Sequence, residues 1–126
     1  MTQLINDKDL NFLLYDVFKL EQLTELARYQ EHDKTTFDSI LDTAKGIATD
    51  YFAPHNAKAD QHEPTFDGKK VETIAEVKTA WNQFADAGLL CAQHDYEAGG
   101  MQLPILVNMA CNAFFMSANP STVAYS

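Results

Sequence analysis

Apolar residues recur at intervals of three and four along most of the chain, and this spacing predicts helices nearly from end to end. Over residues 9–18, Leu10, Leu13, Leu14, Val17 and Phe18 fall on one face, and Leu20, Leu23, Leu26 and Ala27 repeat the pattern in a second short piece. Pieces of this length, rich in Leu and Phe, are marginal alone and need a surface to lie on. The polar run ARYQEHDK reads as the connection that follows. The strongest periodicity spans residues 35–52, where Phe37, Ile40, Leu41, Ala44, Ile47, Ala48, Tyr51 and Phe52 hold one stripe. Asp33 or Thr35 can cap this helix, Asp38 suits the dipole of its first turn, and Pro54 is expected to end it.

Residues 55–70 are polar and predict a long surface loop, with Asp67-Gly68 as a turn. Residues 71–87 predict the next helix, with Val71, Ile74, Val77, Trp81, Phe84 and Ala85 on its buried stripe and Trp81 as a core anchor. At its end Gly88 suits a left-handed cap. The apolar step 89–92 is too short for a helix and leads through Asp95, Tyr96 and Glu97 to the pair Gly99-Gly100. Pro104 suits the first turn of a helix over residues 103–117. That helix is apolar nearly all round, which predicts burial nearly all round. Asn119-Pro120 breaks it, and Ser121 begins another. No alternating run is long enough for a sheet, so the expected class is all-α.

Charge changes the picture in two ways. Nine basic residues against 18 acidic ones leave a net charge of −9 without any basic cluster, which argues against nucleic acid and anionic membranes as partners. Every Asp, Glu, Lys and Arg lies at or before Glu97, so residues 98–126 are uncharged. Pro104, Asn108, Asn112, Asn119 and Pro120 interrupt that stretch below the length of a membrane span, and a helix buried against other protein fits it better. The N-terminus lacks the features of a signal peptide. Cys91 and Cys111 have no CxxC spacing and predict two buried or half-buried thiols in a reducing, cytoplasmic setting.

Candidate chemistry is sparse. His55, Asp60, His62 and Glu63 lie close together but without the i,i+4 spacing that converges imidazoles on one ion, so no metal site is expected and the histidines are assigned to the surface. Asp95 and Glu97 have no apolar surroundings to hold a carboxyl protonated and read as a turn or an inter-domain contact. No G-x-S-x-G elbow anchors a nucleophile, and Gly99-Gly100 is not a dinucleotide fingerprint. The residues alone complete no active site, and no catalytic residue is assigned.

The stretch AWNQFADAGLLCAQHDYEAGGMQLP nevertheless resembles the N-terminal α-helical domain of acyl-CoA dehydrogenases, through Ala85, Gly88, Leu89, Glu97, Gly99, Gly100 and Leu103. The usual Pro ahead of the acidic segment and the Gly after the pair are replaced by Asp95-Tyr96 and Gln102, which leaves the loop conformation open. IATDYFAPHNA, with Asp60 beyond it, resembles the family's first domain helix and its A-P-x-N end. NFLLYDVFKLEQL resembles the N-terminal extension of the larger bacterial branch, the one that includes methylthiopropionyl-CoA-type dehydrogenases. The resemblance implies a bundle-like helical domain over residues 33–126, truncated before a β-domain, behind an extension over residues 1–32. It implies FAD, an acyl-CoA substrate, an electron-transfer acceptor and a homo-oligomer for the whole enzyme, with the glutamate base and most flavin contacts outside this chain. It places Ser121, Thr122 and Tyr125 beside the acyl chain. The alternative class is a stand-alone helical interaction module that docks through residues 103–116.

Overall fold

The computed structural model describes residues 3–126. Among the described residues, six α-helices are joined by tighter and wider helical turns, and the only sheet is a hairpin of two two-residue strands, so the fold is all-α. The helices are α1 Asp7–Asn11, α2 Lys34–Ile47, α3 Asn56–Gln61, α4 Ala75–Asp86, α5 Ile105–Ala118 and α6 Pro120–Val123, and the hairpin strands are β1 Thr65–Phe66 and β2 Val71–Glu72. No helix is long and apolar enough to cross a membrane among the described residues.

The core forms where the stripes of α2, α4 and α5 meet, with α2 against α5 as the principal pairing. Phe37, Leu41 and Ala44 from α2, Ala80 and Phe84 from α4, and Val107, Cys111, Phe114 and Phe115 from α5 are all buried in one cluster. Phe115 is its hub, with ring centroids 4.8 Å from Phe52 and 5.1 Å, edge-on, from Phe84. Aromatic pairs at these separations add to what area burial alone contributes. Burial also pushes the Cys111 thiol up to about 12, which leaves it protonated.

Asp33 caps α2, as its position in the sequence suggests. Its Oδ1 accepts from the Thr36 amide at 2.8 Å and the Thr36 hydroxyl at 2.9 Å. The amide bond first, and then the hydroxyl, hold the Asp33 carboxyl below its ordinary value of 3.8. A depressed carboxylate contributes stability above its unfolded-state value and loses it as pH falls through the folded-state value. Asp33→Ala is therefore expected to lower the urea midpoint at neutral pH, with the gap to the parent protein closing as pH is taken down through and below 3.8.

The chain departs from the sequence reading where Pro54 was expected to end a helix. After α2 the backbone widens into a π turn over Ala48–Phe52, tightens into a 3₁₀ turn over Ala53–His55 and continues as α3. The missing proline N–H falls at a change of helix type, where the regular bonding is already interrupted, so the rod bends instead of stopping. Residues 55–70 are thus half helix and half hairpin instead of a long loop. Asp67 forms the hairpin turn by accepting from the amides of Lys69 and Lys70 at 2.8 and 2.9 Å, with Phe66 opposite Val71. The helix expected from residue 71 begins only at Ala75, because Val71-Glu72 is taken by this hairpin.

Two further corrections concern burial. Trp81 is half-buried and is not a core anchor; Ala80 and Phe84 hold the inner face of α4 instead. α5 is not buried all round either, since Ile105, Met109 and Met116 form an exposed stripe at i, i+4 and i+11.

The N-terminal segment, residues 4–32, lies across this core. α1 runs into a π turn, Phe12–Val17, and then into 3₁₀ turns over Leu20–Glu25 and Ala27–Tyr29. Leu14 and Leu20 enter the core, whereas Phe12, Leu13, Val17, Phe18 and Leu26 stay exposed. Tyr15 donates to Asp38 at 2.5 Å beneath Lys34, and burial together with that carboxylate raises the phenol above its ordinary value. Lys45 pairs with Asp7 at 2.6 Å and ties α1 to α2.

Gly88 ends α4 with φ of 79°, a left-handed position that glycine adopts without a Cβ penalty. The step 89–92, expected to be too short for a helix, makes a single 3₁₀ turn over Leu89–Cys91. Gln102, standing where the resembling family has glycine, has φ of 47°. Its side chain compensates for that conformation by donating to the Arg28 carbonyl at 3.1 Å and accepting from the Tyr96 amide at 3.3 Å. The His32 ring nitrogen bonds the Gln102 carbonyl at 3.1 Å, and Arg28 pairs with Asp95 at 2.6 Å. Residues 28–32 and the turn over residues 93–102 therefore hold each other.

Candidate functional site

The residues singled out for an acyl chain lie on α6 and just beyond it, where α5 breaks. Asn119 makes that break. Its backbone leaves the helical region at φ −163°, and Pro120 supplies a first turn that needs no amide donor. The Asn119 side chain is fully buried and bonds at both ends. Its Oδ1 accepts from the Thr122 amide at 3.1 Å, capping α6, and its Nδ2 donates to the Phe52 carbonyl at 3.0 Å. That carbonyl lies at the π-to-3₁₀ change ahead of Pro54. One asparagine thus fastens α6 to the bend after α2.

His55 completes the polar cluster. It is only 4% exposed, and its Nε2 lies 2.7 Å from the Thr122 hydroxyl oxygen. The assignment of all histidines to the surface is therefore corrected: His55 and His32 are buried, while His62 and His94 are exposed. Thr122 is 1% exposed and points inward to this pairing. Thr122→Val keeps the shape but strands the imidazole nitrogen, and a loss of about 1–3 kcal/mol in urea-denaturation free energy is the expected result.

The other two predicted residues face outward. Ser121 and Tyr125 share a narrow crevice of about 40 Å³ with Ala59, His62, Pro64 and Ile74. Tyr125 also borders a wider, open-sided groove of about 330 Å³ with Val71, Thr73, Val77, Lys78 and Trp81. The Trp81 indole N–H donates to the Tyr125 carbonyl at 3.0 Å and fixes the end of the chain against α4. The structure therefore brings Ser121 and Tyr125 together at one edge and turns Thr122 away from them, into the core. Sequence reasoning assigned no site role to His55, Asn119 or Trp81. His55 lies inside the A-P-x-N stretch that carried the resemblance, which was the available signal.

The surrounding charges are few. Lys58 pairs with Glu76 at 2.5 Å across the mouth of a neighbouring cleft, and this bond is the main cause of the Glu76 carboxyl lying below its ordinary range. No group of three or more His, Cys, Asp or Glu residues is placed to hold a metal among the described residues. The glycine pair does not form a phosphate cradle, because its amides and those that follow are engaged internally. Gly99 donates to Tyr96, Gly100 to Asp95, Met101 to Ala92 and Gln102 to His94. The amides of the glycine pair are thus not free to hold a flavin phosphate.

No protein-family model matches the chain. It is 26% identical over 114 residues to the 3-methylmercaptopropionyl-CoA dehydrogenase of Ruegeria pomeroyi, an alignment covering 90% of this chain and 19% of that protein. The relative is an acyl-CoA dehydrogenase. The chain spans about a fifth of its length.

Proposed function

We propose that the chain is the N-terminal helical part of an FAD-dependent acyl-CoA dehydrogenase of the bacterial branch that carries an extension, residues 1–32, ahead of the helical domain, residues 33–126. The observation that carries this reading is the likeness to the Ruegeria pomeroyi enzyme, which takes in 90% of the chain. In the whole protein these helices wall one side of the acyl and flavin site and exclude water from the reacting centre. Ser121 and Tyr125 face the acyl chain, and Thr122 positions them through His55. The exposed stripe Ile105, Met109 and Met116 is covered by the remaining domains. Acyl-CoA, FAD, the electron acceptor and a homo-oligomeric, cytoplasmic assembly belong to that whole enzyme.

A chimera tests the reading: this chain replaces the 114-residue aligned segment of the Ruegeria pomeroyi enzyme. Retained flavin and turnover of 3-methylmercaptopropionyl-CoA are expected, alongside an isolated chain that is colourless and inactive. A folded chimera without flavin, or stoichiometric flavin on the isolated chain, overturns it. The competing interaction-module reading gains if the isolated chain is a monomer whose α5 amides resist exchange.

A further inference from the structure

α5 and α6 are joined by a single residue outside the helical region, Asn119, and its side chain does more than a helix cap requires. We infer that Asn119 is a positioning residue: the donor half of its amide sets where α6 stands, and through α6 how well the edge formed by Ser121 and Tyr125 holds an acyl chain. The second half of this inference rests on the enzyme reading proposed above, whereas the first needs only the present chain.

The backbone gives one residue this leverage. Ala118 closes α5 and Pro120 opens α6, so the direction in which α6 leaves α5 depends on the dihedral angles of Asn119. Pro120 keeps Asn119 out of the α region, which stops α5 from running on, but the extended region left open to it is broad. Hydrogen bonds narrow that range. The Asn119 N–H donates to the Phe115 carbonyl at 2.9 Å and its carbonyl accepts from the Val123 amide at 3.1 Å, which ties it to α5 and α6 in turn. Neither bond reaches a third element. The side-chain Nδ2 does, by donating at 3.0 Å to the Phe52 carbonyl on the bend after α2.

Chemistry then selects the residue type. As a cap, asparagine has no advantage over aspartate or serine, since all three accept from an amide of the first turn, as Oδ1 does here from Thr122. A carboxylate, however, meets the Phe52 carbonyl oxygen without a donor, and a serine side chain is one bond shorter. Asn119 is fully buried, so bulk water does not replace the lost bond. The side-chain hydrogen bond that then still joins α6 to the bend is that of Thr122, whose hydroxyl oxygen lies 2.7 Å from His55 Nε2. A helix fastened there alone can pivot; fastened at Asn119 as well, it cannot.

Trp81 reports the placement of α6, because it is the sole tryptophan and its indole N–H donates to the carbonyl of Tyr125, just beyond α6. Asn119→Asp and Asn119→Ser each keep a cap acceptor and remove the donor. In the 126-residue chain both are expected to red-shift the native-state Trp81 emission as the indole loses that carbonyl and gains water. Phe37→Leu is the control for general loosening. Phe37 is buried beside His32, whose ring bonds the Gln102 carbonyl at the opposite end of α5 from Asn119, so its truncation should lower the urea midpoint without moving the emission. In the chimera, the Asn119 variants should raise KM for 3-methylmercaptopropionyl-CoA about fivefold and leave kcat within about twofold, as when binding is lost equally from ground and transition states. Phe37→Leu should move neither constant. Unchanged emission in a folded Asn119 variant, an equal shift in Phe37→Leu, or an unchanged KM where the emission has shifted overturns the inference. A chimera without turnover overturns the enzyme reading instead, and the emission then decides the placement of α6 by itself.

Discussion

Phe115→Ala is expected to destabilise the protein by about 3–5 kcal/mol, read as a lowered urea midpoint with an unchanged slope. The side chain has no exposed surface and is the ring on which Phe52 and Phe84 both pack. Its removal takes away one buried aromatic surface and two ring contacts together. The space left is bounded by helices that are themselves fixed, α4 by the Trp81 bond and the end of α5 by the bond from Asn119 to the Phe52 carbonyl, so it closes only in part. A loss of this size is a large share of the roughly 5–15 kcal/mol that holds a domain together. The neighbouring Met116→Ala is the control. Met116 is 56% exposed, and its truncation should stay within about 0.5 kcal/mol. Equal effects at the two positions would mean that α5 is packed in a different rotation.

That rotation is what the sequence left undecided. The periods of α2 and α5 marked their existence and approximate ends, and Asp33 and Pro104 marked their starts. Residues 103–117, however, are apolar on every face, so no stripe distinguished Phe115 from Met116. The hairpin was hidden for a related reason: Val71 continues the helical stripe of α4, and only its pairing with Phe66 across the Asp67 turn removes it. Pro54 misled because its rule applies to a regular α-helix, and the chain has already left the α-helix at Ala48 and is in a 3₁₀ turn when Pro54 arrives.

The polar cluster beneath the residues proposed for the site was not legible in the sequence. Ser121 and Tyr125 emerged from a resemblance and do share a crevice. His55 and Asn119 act across 67 residues, His55 on Thr122 and Asn119 on Phe52, and local spacing does not encode a bond of that range. A buried imidazole in a polar stretch reads as a surface residue until its partner is known.

Gly100→Ala and Gly46→Ala are expected to change stability in opposite directions, and the difference between them is the second large effect. A Cβ at Gly46, inside α2, meets nothing within 4 Å. Alanine there removes backbone freedom from the unfolded chain and should stabilise by about 0.5–1 kcal/mol. At Gly100 the added carbon would overlap the His94 carbonyl and come within 2.7 Å of the Cys91 carbonyl oxygen. Those atoms are backbone, so no rotamer change relieves the clash. Nor can the strand of chain shift freely: the Ala92 carbonyl accepts from both Met101 and Leu103, and the His94 carbonyl accepts from Gln102. Making room for one methyl group would break this crossing, and with it the seats of Gln102 against Arg28 and His32 that hold the extension. The cost should reach at least about 3 kcal/mol, the upper end for overpacking. It should also be accompanied by faster amide exchange across residues 26–32, which Gly46→Ala leaves unchanged. If Gly100→Ala is mild, the crossing is looser than its hydrogen bonds imply, and the N-terminal segment is held by Leu14, Leu20, Tyr15 and the Asp7–Lys45 pair.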